Sequence, residues 1–162
     1  MARARFAEIL RLLAENEVEF VVVGMTAGVL QGAPVATVDL DVVHRRSREN
    51  VARLLRVLSE LGAVYRHDPR RLRPQESHLV GPGHQLLTTT HGDLDCLGEI
   101  GEGIGYEELL GRTVEMKLSG GRMVRVLSLP ALIEAKERAG RPKDIAALPV
   151  LRAALDEQTR RT

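Results

Sequence analysis

Two carboxylates sit two residues apart inside an apolar run, Val38-Asp39-Leu40-Asp41-Val42-Val43, and this feature constrains the chain more than any other. The run alternates and reads as a strand, whose period-two geometry puts both acidic side chains on one face. Two such carboxylates repel each other and resist burial. Unless a cation answers them, at least one has a raised pKa or the strand is destabilised. Magnesium takes oxygen ligands and is commonly held by one or two carboxylates together with substrate phosphates. Asp-x-Asp also occurs on solvated strand faces, so the pair draws its meaning from what precedes and follows it.

Before it comes Glu19-Phe-Val-Val-Val-Gly24, a β-branched apolar run that reads as a buried strand. Thr26 to Gln31 reads as a short helix ended by Gly32 and Pro34. Glycine at position 24 lets the backbone approach a phosphate closely, helix-start N–H groups donate to the anion, and Thr26 adds a hydroxyl. After it, Gly92-Asp-Leu-Asp-Cys-Leu97 carries a second acidic pair on one strand face. If this strand lies beside Val38–Val43, one of its carboxylates faces Asp39 and Asp41. Asp95 is favoured, being deeper in the apolar part, with Asp93 as the replacement. The three carboxylates are expected to converge within ~4–7 Å, near enough to share one or two metals.

Other segments supply helices and a hairpin. Phe6, Ile9, Leu10 and Leu13 give an amphipathic helix over roughly 3–15. Ser47 is a plausible N-cap for a helix over 48–61, with Leu54, Leu55, Leu58 and Leu61 as its apolar stripe. Residues 65–83, rich in Arg and Pro, read as a solvated basic loop with at most a short strand. His84–Thr90 is strand-like, 98–105 is a glycine-rich turn, and 106–110 a short helix. Residues 114–118 and 123–127 flank Ser119-Gly120-Gly121 as a hairpin. Ser128 caps a helix ending at Gly140, and a last helix begins near Lys143 with Ile145, Leu148, Leu151 and Leu155 as its buried side.

At 162 residues, 44% hydrophobic and 28% charged, the chain reads as one globular domain over 1–162. Aromatics are only 2%, too few for a stacking platform, and a net charge of +1 does not demand a polyanionic partner. Cys96 is the lone cysteine, so no internal disulfide forms. Met1–Phe6 carries two early charges without the apolar run of a signal peptide, and no stretch suits a membrane span; a cytoplasmic protein is expected. Gly101-Glu-Gly-Ile-Gly105 lacks dinucleotide-loop spacing, and the five histidines lack zinc spacing, with His44 and His91 placed nearest the acidic pair.

Taken in order, Val-Val-Val-Gly24-Met25-Thr26 through Pro34 and Thr37-Val-Asp39-Leu-Asp41 resemble the core signature of the nucleotidyltransferase superfamily, more narrowly its small prokaryotic minimal-nucleotidyltransferase and AbiEii-toxin-like groups. Gly92-Asp-Leu-Asp95 matches the third acidic strand, and Leu127 to Asp144, with Lys136 and Lys143-Asp144, resembles the C-terminal helical motif. The resemblance spans roughly residues 5–155. Two departures stand out: Met25 where the family usually has Gly or Ser, and Val35-Ala36 where relatives often carry a basic residue.

The resemblance implies an α/β (α+β) fold with a mixed β-sheet, flanking helices and a C-terminal helical segment. It implies Mg2+ or Mn2+ on Asp39, Asp41 and Asp95, and ATP or another NTP against Gly24, Met25 and Thr26. Lys136 is implied at the phosphates or in an ion pair with Asp144. The activity implied is transfer of a nucleoside monophosphate to a protein, an RNA such as tRNA, or a small molecule. By family analogy alone, it extends to a toxin–antitoxin setting with an antitoxin-like partner or a homo-oligomer. The alternative is a non-catalytic nucleotide-binding or protein-interaction module on the same fold.

Overall fold

Four consecutive buried residues, Phe20–Val23, form strand β1, and a run buried on both faces belongs in the middle of a sheet. The computed structural model describes residues 5–161. Ahead of β1 lies α1 (Phe6–Glu15), which buries Ile9, Leu10 and Leu13. Residues 3 and 4, where this helix was expected to begin, lie outside the described residues, as do Met1 and Ala2 of the N-terminal segment and Thr162. After β1 come α2 (Gly24–Leu30), β2 (Asp39–His44) and α3 (Arg48–Glu60). The Ser47 side chain accepts from the Asn50 backbone N–H and caps α3 as its sequence suggests.

The basic segment is more ordered than its composition implies. It holds a two-residue strand, β3 (Val64–Tyr65), and a short helix, α4 (Glu76–Leu79). Then follow β4 (His84–Thr89), β5 (Gly92–Leu97), α5 (Tyr106–Leu109) and a 3-10 turn. The hairpin β6 (Thr113–Lys117) and β7 (Met123–Leu127) leads to α6 (Leu129–Ala139) and α7 (Pro142–Arg160). Ser128 caps α6, and Gly140 ends it at φ +64, a left-handed conformation that glycine adopts without strain.

The strands form one mixed sheet in the order β3-β4-β5-β2-β1-β7-β6. β1 runs antiparallel to β2 and parallel to β7. β5 runs parallel to β2, pairing Asp39 with Asp93 and Asp41 with Asp95. Leu40, Val42, Leu94 and Cys96 therefore share the opposite face, all buried. Asn50, fully buried, accepts from the Glu19 N–H and donates to the Glu19 and Arg45 carbonyls, tying α3 to the sheet with its amide satisfied. Among the described residues, no helix is long and apolar enough to cross a membrane.

The last helix differs from expectation at two positions: Leu155 is only half-buried, with Ala154 buried beside it, and Ile145 turns outward. Ile145 is half exposed, and Asp144 takes the first buried slot ahead of Leu148 and Leu151. Pro149 lies inside α7 and cannot donate to the carbonyl of residue 145. Ile145 lies toward solvent, while Asp144 is buried with two cationic partners that offset the cost of burying its charge.

Candidate active site

Register builds the site. Because β2 and β5 pair in parallel with Asp41 opposite Asp95, carboxylates from two strands stand side by side on one face. Ligand atoms of Asp39, Asp41 and Asp95 all lie within 4.8 Å of one another, inside the range expected from sequence. Asp93 shares the face without joining the trio.

The next strand over contributes the floor. Val23 pairs with Asp41, and Gly24 follows at φ +64. A β-carbon on Gly24 would stand 2.3 Å from Asp41 Oδ2, so both backbone conformation and space demand glycine there. No side chain caps α2, which leaves its first N–H groups open. Met25 packs its side chain against the core. Thr26 is buried and its hydroxyl donates to the Asp39 carbonyl at 3.0 Å. The hydroxyl that sequence offered to a phosphate is thus committed to holding α2 on β2, and the backbone N–H groups are what these residues present.

Electrostatics follow from this crowding. Burial, then the charges of Asp39 and Asp95, push the Asp41 carboxyl up to about 7, against a downward pull from Lys136. Asp95, 7% exposed, is raised by burial and pulled back by the Arg66 guanidinium. Asp41 Oδ1 is buried without a hydrogen-bond partner. A buried orphan acceptor among three convergent carboxylates fits a hard divalent cation, which needs oxygen donors and offsets like-charge repulsion. Asp39, Asp41 and Asp95 are the residues able to hold it.

Lys136 stands on α6 at the edge of a cleft of about 140 Å³ that also touches Gly24 and Asp41. Its ammonium lies 3.3 Å from Asp144 Oδ1. Asp144 also accepts from Arg141 Nε at 2.6 Å, and these partners, Arg141 first, hold its carboxyl down to about 2. The ion pair anticipated between Lys136 and Asp144 is present, and it fixes the lysine at the cleft. A larger cleft of about 430 Å³ adjoins, sharing Ile100, Leu127, Ala135 and Ala139.

Two residues near the site escaped the sequence reading. Arg66, assigned to a solvated loop, turns inward: Nη2 donates to Asp95 Oδ1 at 2.5 Å and to the Leu87 carbonyl at 2.8 Å. Its Nε lies 3.2 Å from Asp93 Oδ2, an ion pair without hydrogen-bond alignment. No local pattern marks it; only the pairing of β3 with β4 carries it there. The histidine that lines the cleft together with Asp41 is His84, and neither His44 nor His91. His44 lies on the opposite face of β2, where Nε2 meets the Leu79 carbonyl at 2.7 Å and burial lowers its pKa. His91 sits in the β4–β5 turn. Cys96 is buried, as expected, and burial pushes its thiol up.

No protein-family model matches the sequence, and no curated protein does. Solved structures do. A Thermotoga maritima protein assigned as a nucleotidyltransferase matches at a TM-score of 0.57 and 21% identity, covering 97% of this chain and 96% of that one. The solution structure of the antibiotic-resistance factor ANT(2'')-Ia matches at 0.60 and 17%, covering 93% and 82%. The crystal structure of ANT(2'')-Ia with adenylyl-2''-tobramycin matches at 0.58 and 19%, covering 95% and 89%. Similarity of fold to these structures over nearly the whole chain gives one conclusion: this chain has the nucleotidyltransferase fold.

Proposed function

We propose that the chain is a metal-dependent nucleotidyltransferase that moves a nucleoside monophosphate from an NTP to an acceptor hydroxyl and releases pyrophosphate. One observation carries this reading: three carboxylates from two paired strands converge within 4.8 Å beside an obligatory glycine. Asp39 and Asp41 would hold Mg2+ or Mn2+, with Asp95 as the third carboxylate beside them. A bound divalent cation supplies neutralisation of charge at the α-phosphate oxygens.

The chain's own residues do the rest. Gly24, Met25 and Thr26 present backbone N–H groups to the triphosphate of ATP or another NTP. Lys136, held in place by Asp144, faces the phosphates across the small cleft. The adjoining space of about 430 Å³ is in the range of small-ligand pockets and suits a nucleoside or part of an acceptor. In the transfer, the acceptor oxygen bonds the α-phosphorus, the bond from phosphorus to the pyrophosphate oxygen breaks, and Asp95 takes the hydroxyl proton.

The acceptor is a protein, an RNA or a small molecule. ANT(2'')-Ia was solved with adenylyl-2''-tobramycin, which makes a small molecule the first acceptor to try. The test incubates purified protein with labelled NTPs and Mg2+ in a cell lysate. A labelled acceptor is expected with the wild type and its loss with Asp39→Asn and Asp41→Asn. Transfer that survives both substitutions overturns the site. The absence of any thermal shift with ATP and Mg2+ overturns nucleotide binding. Binding without transfer favours the non-catalytic alternative.

A further inference from the structure

Four carboxylates share one face of the sheet, Asp39, Asp41, Asp93 and Asp95, and cations answer them unevenly. Arg66 bridges the β5 pair, with Nη2 on Asp95 and Nε beside Asp93. Among the described residues, no Lys or Arg forms an ion pair with Asp39 or Asp41; Lys136, which lines the cleft with Asp41, is paired with Asp144. The orphaned acceptor is correspondingly on β2, at Asp41 Oδ1.

Arg66 is also fixed. Its backbone N–H donates to the Leu86 carbonyl at 2.9 Å, and Nη2 is shared with the Leu87 carbonyl. Its side chain is 16% exposed. The chain then leaves through His67 at φ +63. A guanidinium clamped at both ends in this way is a permanent charge with no proton to lose. It stands on Asp95 Oδ1, so its fixed positive charge opposes a second divalent cation on that carboxylate; paired metals sit only ~3.5–4 Å apart.

We infer that Arg66 is a built-in counter-ion that reserves Asp95, so that the chain without nucleotide takes one divalent cation, on Asp39 and Asp41, rather than two. The inference rests on the metal site proposed above and goes on to fix its stoichiometry. Asp95 stays oriented by Arg66, and a second cation binds only where Arg66 lets go. Arg66 is thus a positioning residue: it acts on the site through Asp95.

The experiment titrates Mn2+ into the full chain without nucleotide and counts bound ions by electron paramagnetic resonance, which also distinguishes isolated from spin-coupled Mn2+. Wild type is expected to bind one isolated Mn2+. Arg66→Met, which keeps an apolar stem without the charge, is expected to bind a spin-coupled pair, returning to one when Asp95→Asn is added. Arg66→Lys keeps the charge but not the fork, so it is expected to bind one ion tightly. Its second ion should bind about tenfold more tightly than in wild type, the size of effect common for residues that orient metal ligands. If Arg66→Met does not fold, Arg66→Lys decides: a second-ion affinity equal to wild type overturns the inference. A coupled pair in wild type, or a single ion in folded Arg66→Met, overturns it while leaving the metal site standing. No Mn2+ bound by wild type at millimolar concentration overturns both.

Discussion

Burial and two like charges push Asp41 up to about 7 in the metal-free protein, whereas an ordinary aspartate titrates near 3.8. The folded chain therefore holds that proton more tightly than the unfolded chain. A raised carboxyl pKa favours folding only while the group is protonated. Its contribution is complete below 3.8 and is lost as pH rises towards 7. At pH 8 the metal-free protein carries the full cost of the buried charge. Asp41→Asn is expected to raise the Tm of metal-free protein at pH 8, by a few degrees or about 1–3 kcal/mol. It should also remove the rise in Tm that Mg2+ or Mn2+ gives the wild type. A lower Tm for the variant, measured calorimetrically with chelator present, would show that Asp41 is not under electrostatic strain. At this scale Asp39 and Asp41 were legible, because strand alternation alone puts them on one face. Arg66 was not, because its partners lie 27 and 29 positions along the chain, on β5.

The junction of α6 and α7 shows how an element boundary serves the site. Arg141 and Lys136 hold Asp144 down to about 2, and its carboxylate is fully buried. A depressed carboxyl pKa stabilises the fold above the unfolded value of 3.8, and that contribution is lost as pH falls towards 2. Asp144→Asn is expected to cost roughly 1.5–3 kcal/mol at pH 7, since it weakens charge-assisted bonds and leaves two cations half-partnered. The gap in Tm between variant and wild type should narrow as pH is lowered from 4 to 2. A gap independent of pH would assign the loss to packing. Freed from Asp144, Lys136 should also hold the nucleotide less well, seen as a higher KM for NTP in the same variant. The caps of these helices were legible: Ser47, Ser128 and Gly140 act as their residue types dictate. The burial of Asp144 in place of Ile145 was not, because a charged residue enters a core only once its partners are in position.

Across the whole molecule, stability should fall from the middle of the sheet to its edges. β1, β2 and β5 are central and largely buried, while β3 is two residues long and β6 is an edge strand with alternate residues exposed. Amide hydrogen exchange is expected to be slowest in β1, β2 and β5 and markedly faster in β3 and β6. Uniform protection across the sheet would contradict this order. Because β3 carries Arg66 to Asp95, opening at that edge and release of the Asp95 clamp should occur together. The sequence by itself determined most of the elements and the shared face of Asp39 and Asp41, since these follow from local periodicity, whereas the need for glycine after β1 comes from Asp41 on the neighbouring strand. Only the tertiary structure decided that β5 lies parallel to β2 with Asp95 opposite Asp41. It also decided that the Thr26 hydroxyl is spent on Asp39, that His84 and not His44 or His91 borders the site, and that Arg66 turns inward. Strand order and register are set by how the whole set of apolar faces is buried at once. No single segment of sequence carries that information.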